Sequence, residues 1–197
     1  DSESDFGGRK CYKALPFIDQ PGVTFNYRIT FEDGTGEILR EELCPIFVDA
    51  VSKQPNRSLG NRVLNADSVE GQPDRSTIQK LRGLREELES EAESYLSRVV
   101  QQVRTDLADE RQSQTQREIE RLDAYAEAEK ERLQSFIETY RERQEAGADM
   151  EIAIRGQEKR LQNLEARIED RKTSIQEKGR VVSLAPEMVN WCYALPS

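Results

Sequence analysis

Arg155, Lys159, Arg160 and Arg167 stand close together in RGQEKRLQNLEAR and are the side chains best suited, by type and spacing, to follow a phosphate backbone. Glu151, Glu158 and Glu165 are interleaved with them, and residues 119–178 carry 12 basic against 15 acidic side chains, so an ordinary solvated face is the favoured reading. A second candidate is QEAGADMEIAIR at 144–155. Gly147 suits the left-handed conformation past a helix end, and Asp149 can cap the helix that follows. Met150, Ile152 and Ile154 bring more apolar surface than a turn requires. Ile152 lies off the helical seam derived below and could touch a partner, although closing the end of a hairpin is the simpler role. Acid–base chemistry would need carboxylates that converge in a buried place, and the pairs Glu41-Glu42 and Glu86-Glu87 read instead as solvated faces. Trp191 and Tyr193 could stack on bases, but Val189 and Leu195 beside them favour a core position.

The chain has no histidine, which excludes a His general base, Ser-His-Asp chemistry and His-ligated metal. Cys11, Cys44 and Cys192 are widely spaced among apolar neighbours and suggest buried thiols in a reducing, cytoplasmic setting. No phosphate-binding loop, dinucleotide fingerprint or nucleophile elbow occurs, so no catalytic residue, cofactor or metal is expected in this segment. A net charge of −9 argues against a free-standing nucleic-acid binder. No apolar run is long enough to span a bilayer, and a soluble protein is expected. The opening DSESDFGG reads as linker, with the whole taken as a piece of a longer polypeptide.

The elements that must position these residues follow from periodicity. VTFNYRITF at 23–31 alternates strictly, and Asp33-Gly34-Thr35-Gly36 has hairpin-turn chemistry before a return strand over 37–48. Pro45 marks an edge, a bulge or a break in that strand. Residues 11–18 are a candidate further strand, and 52–75 have the composition of a surface loop or linker. From Asp74 or Ser76, either of which can cap, one long helix or two with a break are expected as far as about Arg143. The first stretch, from Leu81 to Leu107, presents a broad apolar face suited to covering a sheet.

Beyond it, Ile119, Leu122, Ala126, Glu129, Leu133, Phe136 and Tyr140 are spaced 3, 4, 3, 4, 3, 4, and Ile154, Gln157, Leu161, Leu164, Ile168, Arg171 and Ile175 repeat that spacing. Two equal seams reflected about Gly147 predict an antiparallel helical hairpin ~40 Å long. In that register Asp123 meets Lys172, Lys130 meets Glu165 and Arg132 approaches Arg167. RVVSL and VNWCYAL, after Gly179, are expected either to rejoin the sheet or to form a separate tail.

The expected architecture is α+β: a small antiparallel sheet packed by a long helix, with a protruding coiled-coil hairpin. Its parts are a β-rich region with linker over 1–75, a packing helix over 76–118, an arm over 119–178 with its tip near 146–149, and returning strands over 179–197. An intramolecular hairpin implies a monomer, and a free-standing adaptor that dimerises through its coiled coil is the rival.

PGVTFNYRITF at 21–31, PIFVDA at 45–50, RGQEKRLQNLEARIEDRK at 155–172 and RVVSLAPEMVNWCYALP at 180–196 carry a resemblance covering most of the chain. The chain resembles the C-terminal domain of RapA/HepA-like ATPases, of the SWI/SNF helicase-like group. The resemblance implies a non-catalytic accessory module, with ATP and Mg bound only by a motor elsewhere in the parent. Implied partners are the parent's helicase core, duplex nucleic acid or a protein complex such as RNA polymerase, and no membrane.

Overall fold

The computed structural model describes residues 12–67 and 74–197, so DSESDFGG, Cys11 and Pro73 lie outside the described residues. The fold is α+β. Two units are distinguished, one of Asp1–Glu32, Ile38–Thr105 and Val182–Ser197, the other of Asp33–Glu37 and Asp106–Val181.

The first unit is organised by β2 (Gly22–Asp33). It pairs antiparallel with β3 (Ile38–Asp49) on one side and with β6 (Glu187–Pro196) on the other. β1 (Tyr12–Leu15) adds to β6 in parallel, so the sheet is mixed at this edge and not antiparallel throughout. β4 (Pro55–Asn56) extends β3, and β5 (Val181–Ser183) also pairs with β2. The chain after Gly179 therefore rejoins the sheet.

Val23, Phe25, Tyr27, Ile29 and Phe31 are all buried, as their alternation requires. Thr24 and Asn26, on the other face, are buried too. Their cross-strand partners are Phe47 and Pro45, and this end of the face is covered by α1 (Arg57–Asn65). Pro45 lies within an unbroken strand, outside the short stretch of β3 that pairs with β4, where its missing N–H costs no ladder bond.

Residues 52–75, expected as loop or linker, thus hold a strand and a helix. Asn56 caps α1 by accepting the Leu59 N–H at 2.8 Å. At the other end Lys13 Nζ donates to the carbonyls of Val63, Leu64 and Ala66. Nine residues are too few for a stable isolated helix. Tertiary packing of Val63 with Leu15, Ile18, Phe47 and Ala194 holds it, which local composition does not reveal.

α2 spans Arg75–Glu145 without a break, including the polar 109–118. Asp74 caps it, bonding the N–H and hydroxyl groups of both Ser76 and Thr77. Those bonds, the Ser76 and Thr77 hydroxyls foremost, hold its carboxyl down at about 2. A carboxyl depressed on folding contributes fully above its unfolded value near 4 and loses that contribution as the pH falls through its folded value. The Ser76 and Thr77 amide signals should therefore titrate in NMR with a midpoint near about 2; a midpoint of an ordinary aspartate would mean that the cap is not formed.

Leu81, Leu88, Ala92 and Leu96 form the buried stripe of the first part of α2. The Arg85 guanidinium lies 5.5 Å from the centroid of Trp191, which meets Tyr193 edge-on at 4.9 Å. Tyr193 is buried, so this pair belongs to the packing against α2 and offers no open stacking platform. Cys44 is a buried free thiol, and Cys192 is buried as well.

In the second unit, α2 from residue 106 onward runs antiparallel to α3 (Glu151–Gly179). The β2–β3 turn belongs to this unit: Gly34 N donates to Glu177 O at 3.0 Å, and so satisfies a carbonyl in the last turn of α3. No helix among the described residues is long and apolar enough to cross a membrane.

Candidate functional site

The turn joining α2 to α3 is a Schellman motif. Ala148 N donates to Arg143 O at 3.0 Å and Gly147 N to Gln144 O at 3.0 Å, with Gly147 at φ 94°. Gly147 therefore takes the expected left-handed role. Asp149 does not cap α3: the capping position is one residue later, at Met150, whose side chain makes no capping bond. The chain needs Ala148 and Asp149 to complete the turn, so the helix begins a residue too late for the aspartate. Ile152 is 86% exposed and does not close the end of the hairpin; Ile154 is the residue that turns inward.

The facing helices bury Ala126, Leu133 and Ile137 of α2 and Ile154, Leu164 and Ile175 of α3. Phe136, expected in the seam, is 43% exposed, and Ile137 occupies the inward position instead. A straight helix at 3.6 residues per turn drifts about 20° per heptad from a strict 3.5 repeat. Ala126, Leu133 and Ile137 consequently lie closest to one line, while Phe136 falls to its side.

One flank of the hairpin is closed by ion pairs between the helices. Lys172 meets Asp123 at 2.6 Å, Lys130 meets Glu165 at 3.6 Å and Arg141 meets Glu158 at 3.0 Å. The first two contacts are those expected from the mirrored seams. The hydrogen bond to Asp123, ahead of any other cause, raises the pKa of Lys172. These pairs are solvent-accessible, so they serve more to fix register than to add stability. Arg132 pairs with Glu129 on its own helix at 2.6 Å, which answers its expected approach to Arg167.

The four basic candidates do not form one track. Arg155 is held by Glu151, one turn before it. Lys159 is exposed and shares that stripe, four positions on. Among the described residues Arg160 reaches only the Gln157 side chain, at 3.5 Å. It shares a different stripe with Arg167, seven positions away and nearly two full turns along. Arg171 continues that stripe; the 3-4 spacing places it in the seam and not among the basic candidates.

Arg167 and Arg171 border a shallow groove of about 490 Å³, also lined by Leu122, Tyr125, Leu164, Ile168, Asp170 and Ser174. Tyr125 is 56% exposed there. Further along the same flank Phe136 stacks on Tyr140, with ring centroids 6.4 Å apart. Tyr125 and this flank were likewise not legible in the sequence, since a seven-residue repeat marks only the residues that face inward. The arrangement holds no convergent acid, base and nucleophile; its chemistry is that of a surface offering aromatic and guanidinium groups. No family model matches the chain, and neither the curated proteins nor the solved structures compared with it include a match.

Proposed function

We propose that this chain is a non-catalytic accessory module of a helicase-like, nucleic-acid-dependent ATPase, in which the α2–α3 hairpin acts as a docking or coupling element. The observation that carries the docking role is the two-sided construction of the hairpin. One flank is spent on cross-helix ion pairs, and the other, with the Ile152 tip, leaves apolar and arginine side chains open to solvent. The helicase part of the proposal is supported by the resemblance of residues 21–31, 45–50, 155–172 and 180–196 to RapA/HepA-like C-terminal domains. Phosphate tracking by Arg155, Lys159, Arg160 and Arg167 is less favoured, because Glu151 neutralises the first and the others diverge around α3.

The test is made on the full-length polypeptide that carries this segment. Removing residues 119–178 should change the stimulation of ATP hydrolysis by duplex nucleic acid at least ~5-fold, while unstimulated turnover stays within ~2-fold. ATP hydrolysis by the present chain alone, or stimulation untouched by the deletion, would rule the proposal out.

A further inference from the structure

α2 carries two neighbouring stripes where a simple hairpin helix needs one. Ala126, Leu133 and Ile137 face α3. Leu122, Tyr125, Glu129, Arg132, Phe136 and Tyr140, spaced 3, 4, 3, 4, 4, form the second stripe, and nothing within the described residues covers Tyr125 or Phe136. Steps of three and four place these residues in a row along one side of the helix, as an additional packed helix would need. The apolar floor beside this stripe, from Leu122, Leu164 and Ile168, is already shaped as a groove between the two helices.

The margin of the groove states the charge of what would fill it. Arg160, Arg167 and Arg171 run along the α3 side, and among the described residues Arg167 and Arg171 make no ion pair. The flank opposite is closed by three interhelical pairs, whereas the groove itself is bordered by two arginines against the single carboxylate of Asp170, a local positive excess in a chain of net charge −9. A second copy docking by the same flank would bring two arginine rows together, which is repulsive. Bases of a nucleic acid stack on successive aromatics, whereas Tyr125 and Phe136 are eleven residues apart, ~16 Å along α2.

We infer that the flank of Tyr125, Phe136 and Tyr140 with Arg160, Arg167 and Arg171 receives an amphipathic helix of another protein, its apolar stripe on the aromatics and an acidic margin along the arginines. Such a helix lays its apolar anchors in a groove at helical spacing, and complementary charge selects its orientation and partner. The inference deepens the docking role proposed above and rests on it, but it does not depend on the ATPase.

The probe is a synthetic 21-residue helical peptide with leucines at alternating three- and four-residue steps and glutamates beside them, compared with the same peptide carrying lysines for the glutamates. Binding to the intact chain is read by fluorescence anisotropy. The glutamate peptide should bind at least ~10-fold more tightly than the lysine peptide, and Arg167→Glu with Arg171→Glu should reverse that order. Phe136→Asp should weaken the glutamate peptide by at least ~10-fold with the helix content of the chain unchanged by circular dichroism. Binding of neither peptide, equal binding of both, or insensitivity to Phe136→Asp would overturn the inference. So would displacement of the peptide by single-stranded polyuridine, which would assign the flank to RNA, or by self-association of the chain, which would assign it to a second copy. Failure here, with deletion of 119–178 still altering ATPase stimulation, would remove the acidic helix alone; stimulation untouched by that deletion, with peptide binding intact, would remove the helicase reading alone.

Discussion

Ile137→Asp should destabilise the α2–α3 hairpin by about 3 kcal/mol, while Phe136→Asp, one residue earlier, should cost less than about 1.5 kcal/mol. Ile137 is 6% exposed between the helices, so an aspartate there would bring an unpaired carboxylate into an apolar seam. Phe136 is 43% exposed and loses chiefly its stack on Tyr140. Urea unfolding with amide exchange read over residues 120–145 and 151–175 separates the two. Equal costs, or a larger cost at Phe136, would return the strict heptad and put Phe136 in the seam.

Gly60→Ala should destabilise the first unit by about 2 kcal/mol, although alanine is the better helix former by about 1 kcal/mol. A Cβ at Gly60 would lie 2.4 Å from Pro45 O and 2.9 Å from Phe47 N, both backbone atoms of β3 that cannot move aside as a side chain can. Gly83 in α2 and Gly156 in α3 have nothing within 4 Å of the corresponding position. There the same substitution should stabilise, by up to about 1 kcal/mol each. The thermal midpoints of the three variants test this, and a gain at Gly60 would show that α1 does not lie on β3 as closely as described.

These two residues also mark where the sequence was legible and where it was not. Alternation in VTFNYRITF identified β2 and its buried face, since period two needs no knowledge of neighbours. The mirrored seams located Gly147 at the turn and paired Asp123 with Lys172 and Lys130 with Glu165, because an antiparallel hairpin fixes height by reflection. α1 stayed hidden, because its stability comes from Val63 and Gly60 meeting residues far away in the sequence. The outward stripe of Tyr125 and Phe136 stayed hidden for a different reason. Two adjacent stripes on one helix merge into a single 3-4 pattern in which Leu122, Phe136 and Tyr140 pass for seam residues, and only the path of α3 separates them. Likewise, the capping capacity of Asp149 was legible but its position relative to the helix start was not, since the Schellman turn sets that start.

Whether Asp123 and Lys172 meet within one molecule is best tested by electron–electron distance measurement between spin labels at these two positions, with Cys11, Cys44 and Cys192 replaced. A hairpin closed within one chain gives a narrow, short distance that persists when labelled protein is diluted into an excess of unlabelled chain. A distance that is long and broad, or a short one that vanishes on dilution, would contradict it.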